Sequence, residues 1–314
     1  MYLVDISVVA PCYNEAENLN EFVTRVRAVF SNLILSYQII LVDDGSSDDT
    51  LALAICLAQE FSNIKVIELS RNFGHQYAVT AGIDYAEGKA VVLIDADLQD
   101  PPEVIEEMIS KWQEGYEVVY GQRKKREGES LFKLFTAKLF YRFLRLLSKD
   151  IPVDTGDFRL MDRKVVNIVK SLHEKHRFLR GMISWVGFKQ TAILYDRKSR
   201  FAGITGYSVD KMILFALDGI TSFSILPLRL VSLIGMITTV ASLLMIASVF
   251  LTKIFNPSYY IPGFPTVVVL ILFLGGIQLL SLGIIGEYVG RIYEQSKNRP
   301  LYIVRNMYYQ QSKK

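Results

Sequence analysis

The chain has 314 residues, enough for one sizeable domain plus an appendage, and 51% of them are hydrophobic. Its 35 Lys and Arg against 32 Asp and Glu leave a net charge of +3, which gives no basis for bulk nucleic-acid binding. Two cysteines, Cys12 and Cys56, are too few for a disulfide framework and fit a reducing, cytosolic setting for the soluble part. Met1 to Asp5 show no basic region followed by an apolar stretch, so no cleavable signal peptide is expected.

Residues 1–122 alternate strand and helix signals. Ile6–Ala10, Gln38–Val42, Lys65–Leu69, Lys89–Ile94 and Glu117–Tyr120 read as short strands. Asn18–Phe30, Asp48–Phe61, His75–Ala86 and Pro102–Trp112 read as the helices between them. Ser47-Asp48-Asp49-Thr50 signals the start of the second helix, and Pro101-Pro102 that of the fourth. Strands separated by helices of this length imply an α/β fold with a mostly parallel sheet.

Two of these strands stop in acidic pairs. Gln38 to Val42 runs into Asp43-Asp44-Gly45-Ser46, and Ala90 to Ile94 runs into Asp95-Ala96-Asp97-Leu98-Gln99-Asp100. Carboxylates at such ends lie in the crevice where open α/β sheets bind ligands. Two pairs point to one site where oxygen ligands surround a cation and a polyphosphate. The first strand-to-helix turn, Pro11-Cys12-Tyr13-Asn14-Glu15, has no glycine and is not a dinucleotide fingerprint. Gly82 with Gly88-Lys89 misses the phosphate-loop spacing and precedes a strand. His173 and His176 fall in a charged segment and are expected to be solvated, so no histidine metal site is expected.

Together Ala10–Glu15, Val42–Thr50 and Asp95–Asp100 resemble the motifs of inverting, GT-A-fold glycosyltransferases of family 2. With a C-terminal apolar hairpin, described below, the resemblance narrows to polyisoprenyl-phosphate glycosyltransferases, relatives of dolichol-phosphate mannose synthase. It covers the whole chain and is strongest over 6–100 and 154–210. The resemblance implies that Pro11, Tyr13, Glu15 and Asp44 hold the nucleotide. It further implies that Asp95 and Asp97, with Gln99 nearby, hold the donor diphosphate and Mg²⁺ or Mn²⁺. In related enzymes an Asp in the Asp154-Thr155-Gly156-Asp157-Phe158-Arg159 cluster belongs to the acceptor side, and Asp157 is the match. It either takes a proton, positions the acceptor, or completes the metal shell; a simple turn aspartate is the plainer reading. A lipid phosphate has a second pKa near ~6 and needs little deprotonation at neutral pH.

Two approaching dianions call for cations. Arg123, at the head of Arg123-Lys124-Lys125-Arg126, is one candidate. Arg200, Gly203, Thr205 and Tyr207 match the family's Arg-x-x-Gly-x-Ser-Lys-Tyr element. Gly206 stands where a lysine is common, which shifts the expected phosphate contact to Lys198 or Lys211. Phe132, Phe135, Leu139, Phe143 and Leu146 share one helical face flanked by Lys138, Arg142, Arg145 and Lys149, as in a helix lying in the headgroup layer. Tyr207–Phe223 reads as a second juxtamembrane helix.

Leu230–Leu251 and Thr266–Gly286 are 22 and 21 residues without a charge, each enough to cross a bilayer. The connector Thr252–Pro265 holds one cation, Lys253. The tail holds six: Arg291, Lys297, Arg299, Arg305, Lys313 and Lys314. Positive-inside bias then places both termini and the catalytic domain in the cytoplasm, at the plasma (inner) membrane. Gly286-x-x-x-Gly290 offers a small-residue face for close helix packing in a homo-oligomer. The expected division is a GT-A domain over 1–165, an acceptor-side and juxtamembrane segment over 166–227, two spans within 228–287 and a basic tail over 288–314.

The expected reaction is transfer of one sugar from a nucleotide sugar to a polyprenyl phosphate, undecaprenyl phosphate in a bacterium. The resemblance favours UDP-glucose over GDP-mannose. A processive polysaccharide synthase would carry Gln-x-x-Arg-Trp, and neither Trp112 nor Trp185 follows such a run. A non-catalytic membrane scaffold would have eroded acidic motifs, yet Asp44, Asp95, Asp97 and Asp157 are all present.

Overall fold

Runs of Val, Ile and Leu closed by turn residues become the strands of one eight-stranded mixed sheet in a computed structural model that describes residues 4–123, 155–196, 226–255 and 263–310. The strands are β1 Val4–Cys12, β2 Tyr37–Asp43, β3 Ile64–Leu69, β4 Gly88–Leu93, β5 Val118–Arg123, β6 Thr155–Asp162, β7 Gln190–Tyr195 and β8 Val304–Tyr309. Their spatial order is β7-β5-β6-β4-β1-β2-β3-β8. β1 pairs in parallel with β2 and β4, as do β2 with β3 and β5 with β7. β6 runs antiparallel to β4 and β5, and β8 antiparallel to β3. The helices of this unit are α1 Ala16–Ser31, α2 Thr50–Glu60, α3 His75–Tyr85, α4 Val104–Gln113, α5 Arg163–Ser171 and α6 Leu179–Trp185.

Chain order turns back at β1: β2 and β3 lie on one side of it, β4 on the other. Such a switch point opens a crevice beyond the strand ends, between the loops after β1 and β4. The central strands are apolar on both faces, with Ile6, Val8, Val9, Ile39, Leu41, Val91 and Val92 buried; each such side chain contributes about 1.5–3 kcal/mol on burial. α3 lies against β1 at a separation only glycine allows. A Cβ at Gly82 would fall 2.1 Å from Val9 Cγ1.

Three strands depart from the expectation from sequence. Asp157 stands on β6, so the turn-aspartate reading is incorrect: the cluster pairs with Leu93 and Tyr120 through Arg159. β7 follows the short helix α6. Residues 304–309, expected only as part of a basic tail, form the edge strand β8. At the start of α2 the N-cap is Asp49, and it is the preceding Asp48 whose Oδ1 accepts from the Thr50 backbone N–H at 3.1 Å.

The second unit, Ile213–Asn298, contains α7 Leu226–Phe255 and α8 Phe264–Ser296. Both are long and apolar enough to cross a membrane; the apolar windows are Leu228–Met245 and Phe273–Ser296. The second window runs past Glu287 and Arg291, beyond the Gly286 boundary expected from charge alone. Gly286 and Gly290 both fall in α8. Arg200, Thr205, Tyr207 and Lys211, with Lys198, the run Lys124–Arg126, the amphipathic stretch 132–149, the helix expected over 207–223 and residues 256–262 of the connector, lie outside the described residues.

Candidate active site

Four loops at the carboxyl ends of β1 to β4 build the crevice, and each contains a residue in the left-handed region. Asn14 (φ 56°), Gly45 (φ 68°), Gly74 (φ 107°) and Leu98 (φ 59°) bend the chain sharply just past the strands. Glycine takes this conformation freely, but at Asn14 and Leu98 it is strained, and strain of this kind concentrates where structure over-determines a functional geometry. The first two loops are tied together. Asn14 Oδ1 accepts from Ser47 N–H at 2.9 Å, and Asn14 N–H donates to Ser46 Oγ at 3.1 Å. Glu15 N–H donates to Thr50 Oγ1 at 2.8 Å, while Asp48 Oδ2 accepts from Ala16 N–H at 3.3 Å. Asp48 thus accepts from the first backbone N–H of two helices, and those bonds hold its carboxyl below the usual range against the effect of burial.

Of the residues assigned to the nucleotide, Pro11 lies one residue before the end of β1, paired with Val42, and Tyr13 is exposed on the loop rim. Glu15 Oε2 accepts from Asn18 Nδ2 at 2.6 Å. Asp44 is buried and faces the third loop: its oxygens accept from Phe73 N–H at 2.7 Å and Gly74 N–H at 2.9 Å. Its neighbour Asp43 is equally buried, but Oδ1 has no hydrogen-bond partner. Burial pushes both carboxyls up.

The third loop, Ser70–Gly74, delivers His75 at the start of α3. His75 Nε2 lies 3.2 Å from Asp157 Oδ2 and 3.7 Å from Asp95 Oδ1. So β4's first acid and β6's acid meet across one imidazole. Gln76 Nε2 donates to the same Asp157 oxygen at 3.3 Å, and Arg180 Nε on α6 sits 2.9 Å from Asp157 Oδ1. The Asp157 side chain is 13% exposed, against 36% for Asp95 and 43% for His75. Burial would raise the Asp157 carboxyl, but Arg180 and His75 outweigh it and hold it far below the carboxylate range. Burial disfavours the His75 cation, yet the bond to Asp157 and the charges of Asp95 and Asp157 bring its pKa to about 9. Asp95 is pushed up to about 6 by burial and by Asp157, Asp97 and Asp100, against the pull of His75.

Asp97 is buried at the turn after β4, and its Oδ1 accepts from Gln99 N–H at 3.1 Å. The loop closes at Asp100, which accepts from the Tyr195 hydroxyl of β7. Arg123 reaches the same corner, with a guanidinium nitrogen 3.2 Å from where a Gly156 Cβ would stand. Arg123 Nε is buried there without a hydrogen-bond partner. Among the described residues no three His, Cys, Asp or Glu side chains form a metal-holding group. Two hard carboxylates in an acid-rich pocket nevertheless suit Mg²⁺ or Mn²⁺ when a diphosphate supplies further oxygens.

His75, Gln76 and Arg180 lie outside the motifs, while Asp43 and Asp100 fall within them but have no role assigned there. The polar run Arg71-Asn72-Phe73-Gly74-His75-Gln76, directly after a buried strand, is the signal for two of them. Arg180 carries no local signal. His173 is exposed as expected, but His176 is half-buried, which corrects its reading as solvated.

With this geometry in view, the sequence profile described as "Glycosyl transferase family 2" matches residues 7–169. The chain belongs to glycosyl transferase family 2. It is 50% identical to an uncharacterized glycosyltransferase of Synechocystis sp., over 97% of this chain and 96% of that one. It is 41% identical to the bactoprenol glucosyl transferase of Shigella phage SfV, over 96% of this chain and 98% of that one. Among solved structures, glucosyl-3-phosphoglycerate synthase from Mycobacterium tuberculosis aligns with a TM-score of 0.48 at 18% identity, over 70% of this chain and 78% of that chain. Membership of this family makes the protein a glycosyltransferase, and its mixed α/β sheet is the GT-A catalytic unit.

Proposed function

We propose that the enzyme transfers one glucose from UDP-glucose to a polyprenyl phosphate at the inner face of the plasma membrane. The observation that carries this reading is likeness over nearly the whole of both chains to bactoprenol glucosyl transferases, at 41% identity. The same relatives favour glucose over mannose. In the reaction a phosphate oxygen of the lipid attacks the anomeric carbon, the bond from that carbon to the β-phosphate oxygen breaks, and UDP leaves. No proton need be removed from an acceptor that is already dianionic.

The residues take their roles from the crevice. The bare Asp43 Oδ1 suits the ring N–H of a uracil base, and Tyr13 on the rim offers a face for it to stack on. Asp44 serves by holding the third loop. Asp95 and Asp97 would hold Mg²⁺ or Mn²⁺, and a bound cation would offset charge on the departing diphosphate. Asp157, clamped by Arg180, His75 and Gln76, is a poor proton acceptor, so positioning is its role here. The nearby cations Arg180 and Arg123 favour an incoming phosphate.

Connectivity supports the topology. β8 pairs with β3 of the catalytic sheet, so the chain that leaves this unit before α7 returns to it after α8. Two crossings, out and back, satisfy that condition, and the tail cations give the cytoplasmic side. The test is incubation of membranes holding the full chain with labelled UDP-glucose, UDP-galactose, UDP-N-acetylglucosamine and GDP-mannose. Label from UDP-glucose should enter polyprenyl phosphate, be lost with EDTA and return with Mn²⁺ or Mg²⁺. Lipid labelling by another donor alone would overturn the glucose assignment, and full transfer in EDTA would overturn the metal.

A further inference from the structure

The C-terminal segment grips both ends of the stretch that carries His75. Ser70 begins the loop between β3 and α3, and the segment binds both of its backbone groups. Ser70 N–H donates to the Ile303 carbonyl at 2.9 Å, and its own carbonyl accepts from the Arg305 guanidinium at 2.8 Å. At the other end, the Tyr302 hydroxyl donates to Asp84 Oδ2 at 2.8 Å, in the last turn of α3. Between these grips lie Phe73, Gly74 and His75.

Glu68 sets the register of the grip. Its side chain is only 6% exposed and accepts from Arg305 at 3.1 Å, Asn306 at 2.9 Å and Tyr308 at 2.8 Å. A buried carboxylate left without those donors carries the full desolvation penalty, so β8 has one favoured seating. The middle of the loop is held from the opposite side by Asp44 and by the backbone contact at Gly45. Only residues 297–301 separate the end of α8 from Tyr302.

We propose that the segment Tyr302–Tyr308 positions the active site, with Arg305 the positioning residue through which seating of β8 sets His75 against Asp157 and Asp95. Turnover is thereby coupled to the chain's return from the membrane hairpin. The inference rests on the glycosyl-transfer reading of the site, and it concerns how that site is held rather than which sugar it moves.

The test uses the full chain in vesicles containing polyprenyl phosphate and compares wild type with Arg305→Ala, Arg305→Lys and Tyr302→Phe. For Arg305→Ala, kcat should fall about tenfold while the donor KM changes less than about twofold, since displacing a positioned group costs rate rather than donor affinity. Backbone amides of Phe73 and Gly74 should exchange hydrogen faster than in wild type, while those of β1 and β4 keep their protection. Arg305→Lys should recover part of kcat, and Tyr302→Phe should give a smaller effect of the same kind. Unchanged kcat in Arg305→Ala would overturn the proposal, as would a loss of kcat with Phe73 and Gly74 fully protected. Failure of wild type to glucosylate the lipid would instead overturn the functional reading, because the exchange comparison needs no sugar.

Discussion

Both oxygens of the Asp157 carboxylate are engaged, one by Arg180 and the other by His75 and Gln76. Asp157→Asn should leave donor binding within about threefold while transfer falls about 10²-fold or more, because the group acts on geometry rather than affinity. Calorimetric titration of UDP beside a lipid-transfer assay checks both halves. The sign for pH follows from the depressed carboxyl: it stays ionised throughout the working range. The rate should therefore show no acid limb between about pH 5 and 7 that Asp157→Asn removes. A second residue-scale test concerns Gly45. A Cβ there would lie 2.6 Å from the Asn72 nitrogen, at a φ of 68°. Gly45→Ala should cost about 1–3 kcal/mol and lower the melting temperature of the detergent-solubilised protein. Of the site, the acids were legible because carboxylates at strand ends stand out against apolar runs. His75 and Arg180 were not, since their meaning comes from α3 and α6 converging on Asp157.

Elements β1 to β5 and α1 to α4 were readable because buried parallel strands are unbroken apolar runs and the helices between them have clear starts. The later strands were not. β6, Thr-Gly-Asp-Phe-Arg-Leu-Met-Asp, alternates polar and apolar residues because one face meets the site. β8, Val-Arg-Asn-Met-Tyr-Tyr, is short, lacks strict alternation and becomes a strand through pairing with β3 and through Glu68. At the opposite end of the sheet, Asp5 binds Lys89 at 2.7 Å and Ser36 at 2.7 Å, joining β1 to β4 and to the turn before β2. These bonds lower its pKa to about 2. A depressed carboxyl stabilises the fold above its unfolded pKa near ~4, and that contribution fades as pH falls toward 2. Asp5→Asn should lower stability at pH 7 by about 1 kcal/mol after solvent screening and flatten the acid dependence between about pH 4 and 2. Thermal unfolding across that range reads the difference.

For the whole molecule, the proposed arrangement is an out-and-back hairpin with catalysis on the cytoplasmic side. In a background lacking Cys12 and Cys56, single cysteines placed over 256–263 should react with an impermeant thiol reagent in intact cells. Cysteines after Arg291 should stay unlabelled until the membrane is opened. Labelling of the tail from outside would reverse the side on which the donor is used.

The edge strand β8 also fixes an order of events during synthesis. Its partner β3 emerges more than two hundred residues earlier, and the two cannot pair until both apolar helices have been made and accommodated. Until then the β3 edge is open, with unpaired backbone groups and a buried-type acid, Glu68, facing water. Residues 304–309 thus complete a sheet whose other strands all precede the two apolar helices. Were β8 kept from β3, the catalytic sheet would be left with an open edge able to pair with another chain, so the return of the chain after the second apolar helix also guards the sheet against aggregation.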